Sequence, residues 1–332
     1  FKTPKAKPLL EKYRFKYRCF NDDIQGTGCV TLAGCLSAAR QASTKLSEMR
    51  FLCAGAGSAG LGVCKQLVDG VVLESGESEE SARKRFVVCT SQGALGRGDG
   101  RFGDPNLKRG LSAERHEWVN TEISDGASLL EAVKSFKPTC LLGLAAQPAG
   151  IFTEDIVRAM ASYCDRPVVM PMSNPTSKAE CTPAQAYEWT DGRAVVATGT
   201  GFPPVVAEDG RRFVPSQCNN MYVFPGIGLA ASIAGTKTIT DSMLFHSAVA
   251  CVDAMTPDEI QQGRTFPNVK RIRDVSLAVA CAVIQEGFRL GLNTTLHQTQ
   301  VPDADALRDH VRNAMWLPEY APILPPPPSS SS

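Results

Sequence analysis

The segment Gly55-Ala56-Gly57-Ser58-Ala59-Gly60 constrains the fold of this chain more than any other. It stands between an apolar run at 50–54 and a stretch of helical apolar spacing at 61–68. A G-x-G-x-x-G turn in that position serves a strand feeding a helix. The first glycine permits the tight turn, the second lets a pyrophosphate approach the backbone, and the third lets the helix pack on the strand. The helix start then offers unpaired N–H groups and a partial positive charge to phosphates. The alternation continues downstream, with apolar runs at 86–89, 140–144, 168–172 and 194–198 separated by helical stretches. Strands joined through helices pair in parallel. The expected fold is therefore α/β, a doubly wound Rossmann-type sheet with additional C-terminal helices.

Helix starts are written into the connections. Thr182-Pro183-Ala184-Gln185 and Thr256-Pro257-Asp258-Glu259 each combine an N-cap threonine, a proline at the first helical position and a reciprocal capping residue. Residues 205–214 read as a hairpin around Asp209-Gly210. After Asn219 the pattern turns helical, over roughly 226–235, 241–255 and 274–290. The divisions expected are a helical segment at 1–21 belonging to a separate substrate and metal domain, a dinucleotide-binding domain at 22–218, a helical segment at 219–290 packing with that separate domain, and a C-terminal helix with a disordered Pro/Ser tail within 291–332.

Charge and cysteine usage exclude several classes. With 35 basic and 34 acidic side chains the chain gives no general reason to expect nucleic acid or an acidic membrane surface as partner. The basic run between Lys2 and Arg18 reads as a solvated helix face with Leu9, Leu10 and Tyr13 inward. No apolar run approaches the ~20 residues that span a bilayer. The twelve cysteines contain no C-x-x-C pair and mostly lie in apolar runs, as small buried hydrophobes do. An intracellular, reducing setting, cytoplasmic or mitochondrial, is expected.

The second strand bears on which dinucleotide is bound. An NAD site wants Asp or Glu there, ~20 residues beyond the turn, to hold the ribose 2′-hydroxyl. Here the strand ends Cys89-Thr90-Ser91-Gln92, after a charged insertion, and carries no acid. A 2′-phosphate would meet no repulsion, Thr90 and Ser91 could donate to it, and Arg97, Arg101, Lys108 and Arg109 lie near in sequence. NADP is expected over NAD, with NAD possible.

Three polar segments remain. Phe20-Asn21-Asp22-Asp23-Ile24-Gln25-Gly26-Thr27 sets two adjacent carboxylates before a helical stretch. Such acids commonly cap a helix, yet with Asn and Gln they also form an oxygen set suited to Mg²⁺ or Mn²⁺. Ser173-Asn174-Pro175-Thr176 follows the fourth strand, and Gln217-Cys218-Asn219-Asn220 precedes Phe224-Pro225-Gly226. In this order and at these separations the motifs FNDDIQGT, GAGSAG, SNPTSKAECT and QCNNMYVFPG resemble those of malic enzymes, over a stretch from Phe1 to about Tyr320.

That resemblance implies oxidative decarboxylation of (S)-malate to pyruvate and CO₂ with NADP or NAD and Mg²⁺ or Mn²⁺. By motif, Asp23 resembles a metal-binding carboxylate and Asp22 the neighbouring acid that supports proton transfer. Asn174, Asn219 and Asn220 resemble the asparagines that hold the malate carboxylates, Asn174 also serving the nicotinamide end. Gly55, Ala56, Gly57, Ser58 and Gly60 resemble the phosphate loop, and Thr27 a cofactor neighbour. Thr90 departs from the family's usual Asp. The family's Glu-Asp-Phe metal motif would align its Phe with Phe1, setting the tyrosine acid, lysine base and malate-binding arginine of the family before this chain, which alone would then be catalytically incomplete. The full-length protein is expected to be a homo-oligomer, a dimer or tetramer. The other class of reading is a dinucleotide-sensing module without catalysis, which would have no need of Asp23 or Asn174.

Overall fold

A computed structural model describes residues 5–97, 112–145 and 148–318. Helix α1 (Ala6–Tyr13) is followed by a short π-helical turn, Asp22–Gly26, that runs straight into α2 (Thr27–Gln41). Then come β1 (Phe51–Ala54), α3 (Ser58–Ser75), α4 (Glu79–Arg83), β2 (Phe86–Thr90), β3 (Gly93–Ala94), α5 (Ala113–His116), α6 (Leu129–Phe136) and β4 (Cys140–Gly143). The sheet continues through α7 (Glu154–Ala161), β5 (Val168–Pro171), α8 (Pro183–Glu188) and β6 (Val195–Thr198). A hairpin of β7 (Val205–Val206) and β8 (Arg212–Phe213) precedes β9 (Ser216–Gln217). The chain then runs through α9 (Phe224–Ala234), α10 (Asp241–Asp253), α11 (Pro257–Gln261), α12 (Ile272–Arg289) and α13 (Ala304–Ala314).

The main sheet has the order β3-β2-β1-β4-β5-β6-β9, parallel except for the short antiparallel return β3. This is the expected doubly wound architecture. The chain winds outward from β1 to β3 and then returns to lay β4 against β1. The order thus reverses between the carboxyl ends of β1 and β4, where open α/β sheets hold their ligands. Both faces are covered, so the central strands β1, β4 and β5 are apolar throughout, and alternate residues feed opposite layers. Phe51, Cys53, Val88, Leu142 and Met170 join one core with α2, α3, α10 and α12, while Leu52, Ala54, Val87, Leu141 and Val169 join the other with α6, α7 and α8. Phe51 and Phe86, paired in register, stack with ring centres 4.7 Å apart.

The two capping boxes and the hairpin form as expected. The charged insertion before β2 contains a helical turn, α4, started by Ser78. The boundary expected at Asn219 does not interrupt the core, because Ile227, Ala230, Val279 and Val283 share one cluster with Cys29 and Val30 of α2. Along α1, Leu10 is buried and Leu9 and Tyr13 are partly so. All twelve cysteines are free and nine are buried. Burial pushes thiols such as Cys29 and Cys89 up, so they stay protonated and serve as packing. Among the described residues no helix is long and apolar enough to cross a membrane. The Pro/Ser tail at 325–332 lies outside the described residues.

Candidate dinucleotide site

The loop after β1 performs the three glycine roles in separable ways. Gly55 sits at φ +136, and a Cβ there would lie 2.5 Å from the Leu144 carbonyl oxygen after β4. A Cβ on Gly60 would lie 1.9 Å from the Gly55 carbonyl oxygen, so the helix closes on its own strand only through this glycine. A Cβ on Gly57 would meet nothing within 4 Å. The space over Gly57 is therefore open to a ligand, while the positions on either side are filled by protein. Gly57 is also the N-cap of α3 and brings no capping side chain to the first turn, and a helix start favours an anion.

Around this loop lies a cleft of about 870 Å³ at the carboxyl ends of β1, β2 and β4. Gly55, Ala56, Gly57, Thr90 and Ser91 line it, together with Leu144 and Ala145 after β4 and Ser128 and Leu129 at the start of α6. Ser58 begins α3 and Gly60 is buried beneath the loop, so neither lines the cleft. Thr90 is committed: its hydroxyl donates to the Gly93 carbonyl at 3.2 Å and accepts from the Gln92 N–H at 3.0 Å, shaping the β2–β3 turn. Ser91 is exposed at the rim. Arg97 lies outside the cleft, bridged to Ser124, and Arg101, Lys108 and Arg109 fall outside the described residues.

The cation that does line the cleft is Arg115, which sequence reasoning passed over. Its Nε donates to the Ala56 carbonyl oxygen at 3.2 Å, anchoring the guanidinium on the phosphate loop itself. Arg115 is 58 residues from Gly57 and carries no motif, so only the fold brings them together.

A second buried group shapes the same region. The Glu180 carboxylate, fully buried, accepts from the Ala145 N–H at 3.3 Å and the Ser173 N–H at 3.3 Å. It also accepts from the Ser173 hydroxyl. It thereby ties the loop after β4, which lines the cleft, to the loop after β5, which carries Asn174. Gly143 makes room for it, since a Cβ there would lie 2.3 Å from the carboxyl carbon. Asn174 itself is exposed and joined to Pro175 by a cis peptide bond.

The FNDD segment lies apart from the cleft. Asn21 accepts from the Ile24 N–H at 2.9 Å and starts the π-helical turn, a geometry common at functional sites. Asn220 reaches this turn from almost 200 residues away. Its amide donates to the Asp22 carbonyl at 2.9 Å and to the Thr27 hydroxyl at 3.3 Å. Asp22, Thr27 and Asn220 thus form one cluster. Asn219 is turned to a local task, accepting from the Met221 N–H at 3.0 Å. Burial pushes the Asp22 carboxyl up, a hydrogen bond from Asn220 opposes the shift, and the Asp23 charge adds to it. One Asp22 carboxyl oxygen is buried without a partner, and Asp23 beside it is exposed. Two adjacent carboxylates suit a hard divalent cation. They are not a complete cage: among the described residues no three His, Cys, Asp or Glu side chains converge to hold a metal.

Comparison with known proteins agrees with this geometry. Residues 24–288 match the family described as malic enzyme, NAD binding domain. An NADP-dependent malic enzyme of Dictyostelium discoideum is 38% identical over 315 residues, which cover 94% of this chain and 54% of that protein. An NAD-dependent malic enzyme of Acinetobacter baylyi is also 38% identical, over 96% of this chain and 55% of that protein. The chain thus spans about half the length of the curated relatives it matches, which include both cofactor types, an NAD-dependent malic enzyme of Shewanella halifaxensis being 42% identical over 96% of this chain and 55% of that protein. In fold it is similar to the malic enzymes of Entamoeba histolytica (TM-score 0.72, 24% identity, 94% of this chain and 58% of that one) and Pyrococcus horikoshii (0.70, 25%, 94% and 64%).

Proposed function

The chain belongs to the malic enzymes, and from that premise we propose that it is the part of such an enzyme that holds NADP and completes one side of a malate site. The observation that carries the reading is the glycine loop, where Gly55 and Gly60 are closed by protein and Gly57 alone is open. That is the pattern a pyrophosphate on a helix N-terminus requires. The dinucleotide, when bound, supplies the hydride acceptor, and a divalent cation supplies Lewis-acid polarisation of the substrate's oxygens.

The residues of the chain have distinct tasks in this reading. The first turn of α3 binds the pyrophosphate, and Leu144 and Ala145 wall the cleft. Arg115 faces the 2′-phosphate, in place of the Thr90 hydroxyl, which is spent on the β-turn. Asp23 offers one oxygen ligand to Mg²⁺ or Mn²⁺. Asp22, held by Asn220 and raised by burial, supports proton transfer beside it. Asn174 and Asn219 bind the malate carboxylates, while Asn220, whose amide N–H groups go to the Asp22 carbonyl and the Thr27 hydroxyl, holds the turn that carries Asp22 and Asp23. A charge-assisted hydrogen bond is worth about 1.5–3 kcal/mol. Arg115→Ala is therefore expected to weaken NADP binding roughly tenfold to a hundredfold, and NAD binding far less. Titration of both dinucleotides, followed by nicotinamide fluorescence of the reduced forms, tests this. Equal losses for the two would remove the case for NADP, and no binding of either would remove the cofactor reading itself.

A further inference from the structure

Arg115, the cation on the phosphate loop, stands on α5, a single turn of four residues. So short a helix does not hold itself, and whatever fixes it also fixes the guanidinium. Its carboxyl end is anchored in the core: Trp118, 5% exposed, packs edge-on against Phe86 with ring centres 5.9 Å apart. The Trp118 N–H also donates to the Arg115 carbonyl at 3.0 Å. The other anchor comes from α1. Lys7 Nζ donates to Glu114 Oε1 at 2.7 Å, across 107 positions of sequence. Consecutive residues of α5 thus line different spaces, Glu114 a separate cavity against α1 and Arg115 the dinucleotide cleft.

Helix α1 is a fixed point for that pair. Its Ala6 and Leu10 are buried. Arg14 pairs with Asp241 of α10 at 2.7 Å, the Thr238 hydroxyl donates to the Arg14 carbonyl at 2.6 Å, and Arg18 Nε donates to the Thr236 carbonyl at 2.6 Å. Lys7 has a second acid at 3.8 Å, Glu11, but its short bond goes to Glu114. The Lys7 and Glu114 side chains are 40% and 34% exposed, so their pairing adds little to global stability. A weak bond can still set a direction. A guanidinium recognises a phosphate through a rigid fork of N–H groups, and a small misplacement of the turn that carries it costs hydrogen bonds.

We propose that Lys7 and Glu114 are positioning residues for NADP, their ion pair holding α5 so that Arg115 meets the 2′-phosphate. The inference rests on the assignment of Arg115 to that phosphate, and the test separates the two. NADPH and NADH are titrated by nicotinamide fluorescence into the 332-residue chain and its Lys7→Met, Glu114→Ala and Arg115→Ala variants, with unfolding midpoints measured alongside. Lys7→Met and Glu114→Ala should each weaken NADPH binding about two- to fivefold and leave NADH binding and Tm unchanged. Lys7→Arg keeps the pair and should bind as wild type does. Glu114→Ala is the sharper variant, because it removes a negative charge from beside the site. Long-range electrostatics alone would then tighten NADPH, whereas lost positioning loosens it. In an Arg115→Ala background neither variant should weaken NADPH further, since all three act through one contact. Tighter NADPH in Glu114→Ala, equal weakening of NADPH and NADH, or losses that add to that of Arg115→Ala overturn the proposal. A selective loss in Arg115→Ala, with none in Lys7→Met or Glu114→Ala, overturns it too but leaves Arg115 its role. If Arg115→Ala weakens both dinucleotides alike, the 2′-phosphate reading itself fails and takes the positioning pair with it. Should one variant of the pair lower Tm, the other is read in its place.

Discussion

At the scale of single residues, Gly57 and Gly60 separate binding from folding. Gly57 has φ −87 and ψ 177, an extended backbone open to any residue, and a Cβ there meets nothing. Gly57→Ala is therefore expected to leave thermal stability unchanged while weakening dinucleotide binding at least ~10-fold, because the methyl group enters the space a pyrophosphate needs. Gly60→Ala forces a contact of 1.9 Å with backbone and should cost about 1–3 kcal/mol of stability as well. Calorimetry and dinucleotide titration on the pair check this; a destabilised Gly57→Ala would refute the division of labour. Glu180 gives a second contrast. Glu180→Ala strands the N–H groups of Ala145 and Ser173 and should cost on the order of 3 kcal/mol. Glu180→Gln keeps the volume but turns an NH₂ toward one of those donors, so it should still lower both stability and dinucleotide affinity. Unfolding midpoints and affinities equal to wild type would show that the tie between the two loops is idle. The glycines were legible in the sequence because their spacing is local. Arg115 and Glu180 were not, since the groups they bond lie on other loops and nothing in their own neighbours signals it.

Among the elements, legibility followed the range of the forces that make them. Five strands and the longer helices could be read from periodicity, and the capping boxes from four consecutive residues. The two-residue strands β3 and β9 could not, because they exist only as pairings with β2 and β6. The π-helical turn was equally hidden: it depends on Asn21 at its start and on Asn220 holding the Asp22 carbonyl from a distant turn. Glu286 shows how a single group can join elements. Its side chain, 3% exposed on α12, accepts from Arg289 at 2.7 Å, bonds Ser242 of α10 and lies 3.6 Å from His246. The Arg289 hydrogen bonds, against the cost of burial, hold its carboxyl below the usual glutamate value. A lowered folded pKa means that the unfolded chain binds the proton more readily. The stabilisation is therefore complete above the unfolded pKa of ~4.3 and drains away as pH falls through the folded value. Glu286→Gln should be less stable than wild type near pH 7, with the gap closing below pH ~4. Urea unfolding across that range decides it, and a gap independent of pH would contradict the assignment.

For the whole molecule, one core runs from the sheet through α2 and α3 to α10 and α12, so the helices after Asn219 fold with the dinucleotide domain. This is the scale at which the sequence was least informative about partition, because binary patterning marks which faces are apolar but not which faces meet. The same packing delivers Asn220 to the Asp22 turn, and so assembles half of a polar site on a rigid frame. The other half is a matter of chemistry. Decarboxylating oxidation of malate needs a base for the hydroxyl proton and an acid for the enol carbon. Asp22 and Asp23 provide one partly desolvated carboxyl and one exposed one, without a converging cage of metal ligands among the described residues. The family resemblance implies a tyrosine acid and a lysine base for these steps, and this chain spans about half the length of the relatives it matches. The 332-residue chain is accordingly expected to bind NADP and to form no NADPH from malate with Mg²⁺ or Mn²⁺ present. Dinucleotide titration and absorbance at the reduced-nicotinamide band on one preparation test both halves. Malate-dependent reduction by this chain alone would mean that Asp22 and its neighbours carry the proton transfers unaided. Failure to bind the dinucleotide would instead locate the missing support in the glycine-loop cleft, where Gly57→Ala would then have no effect to measure.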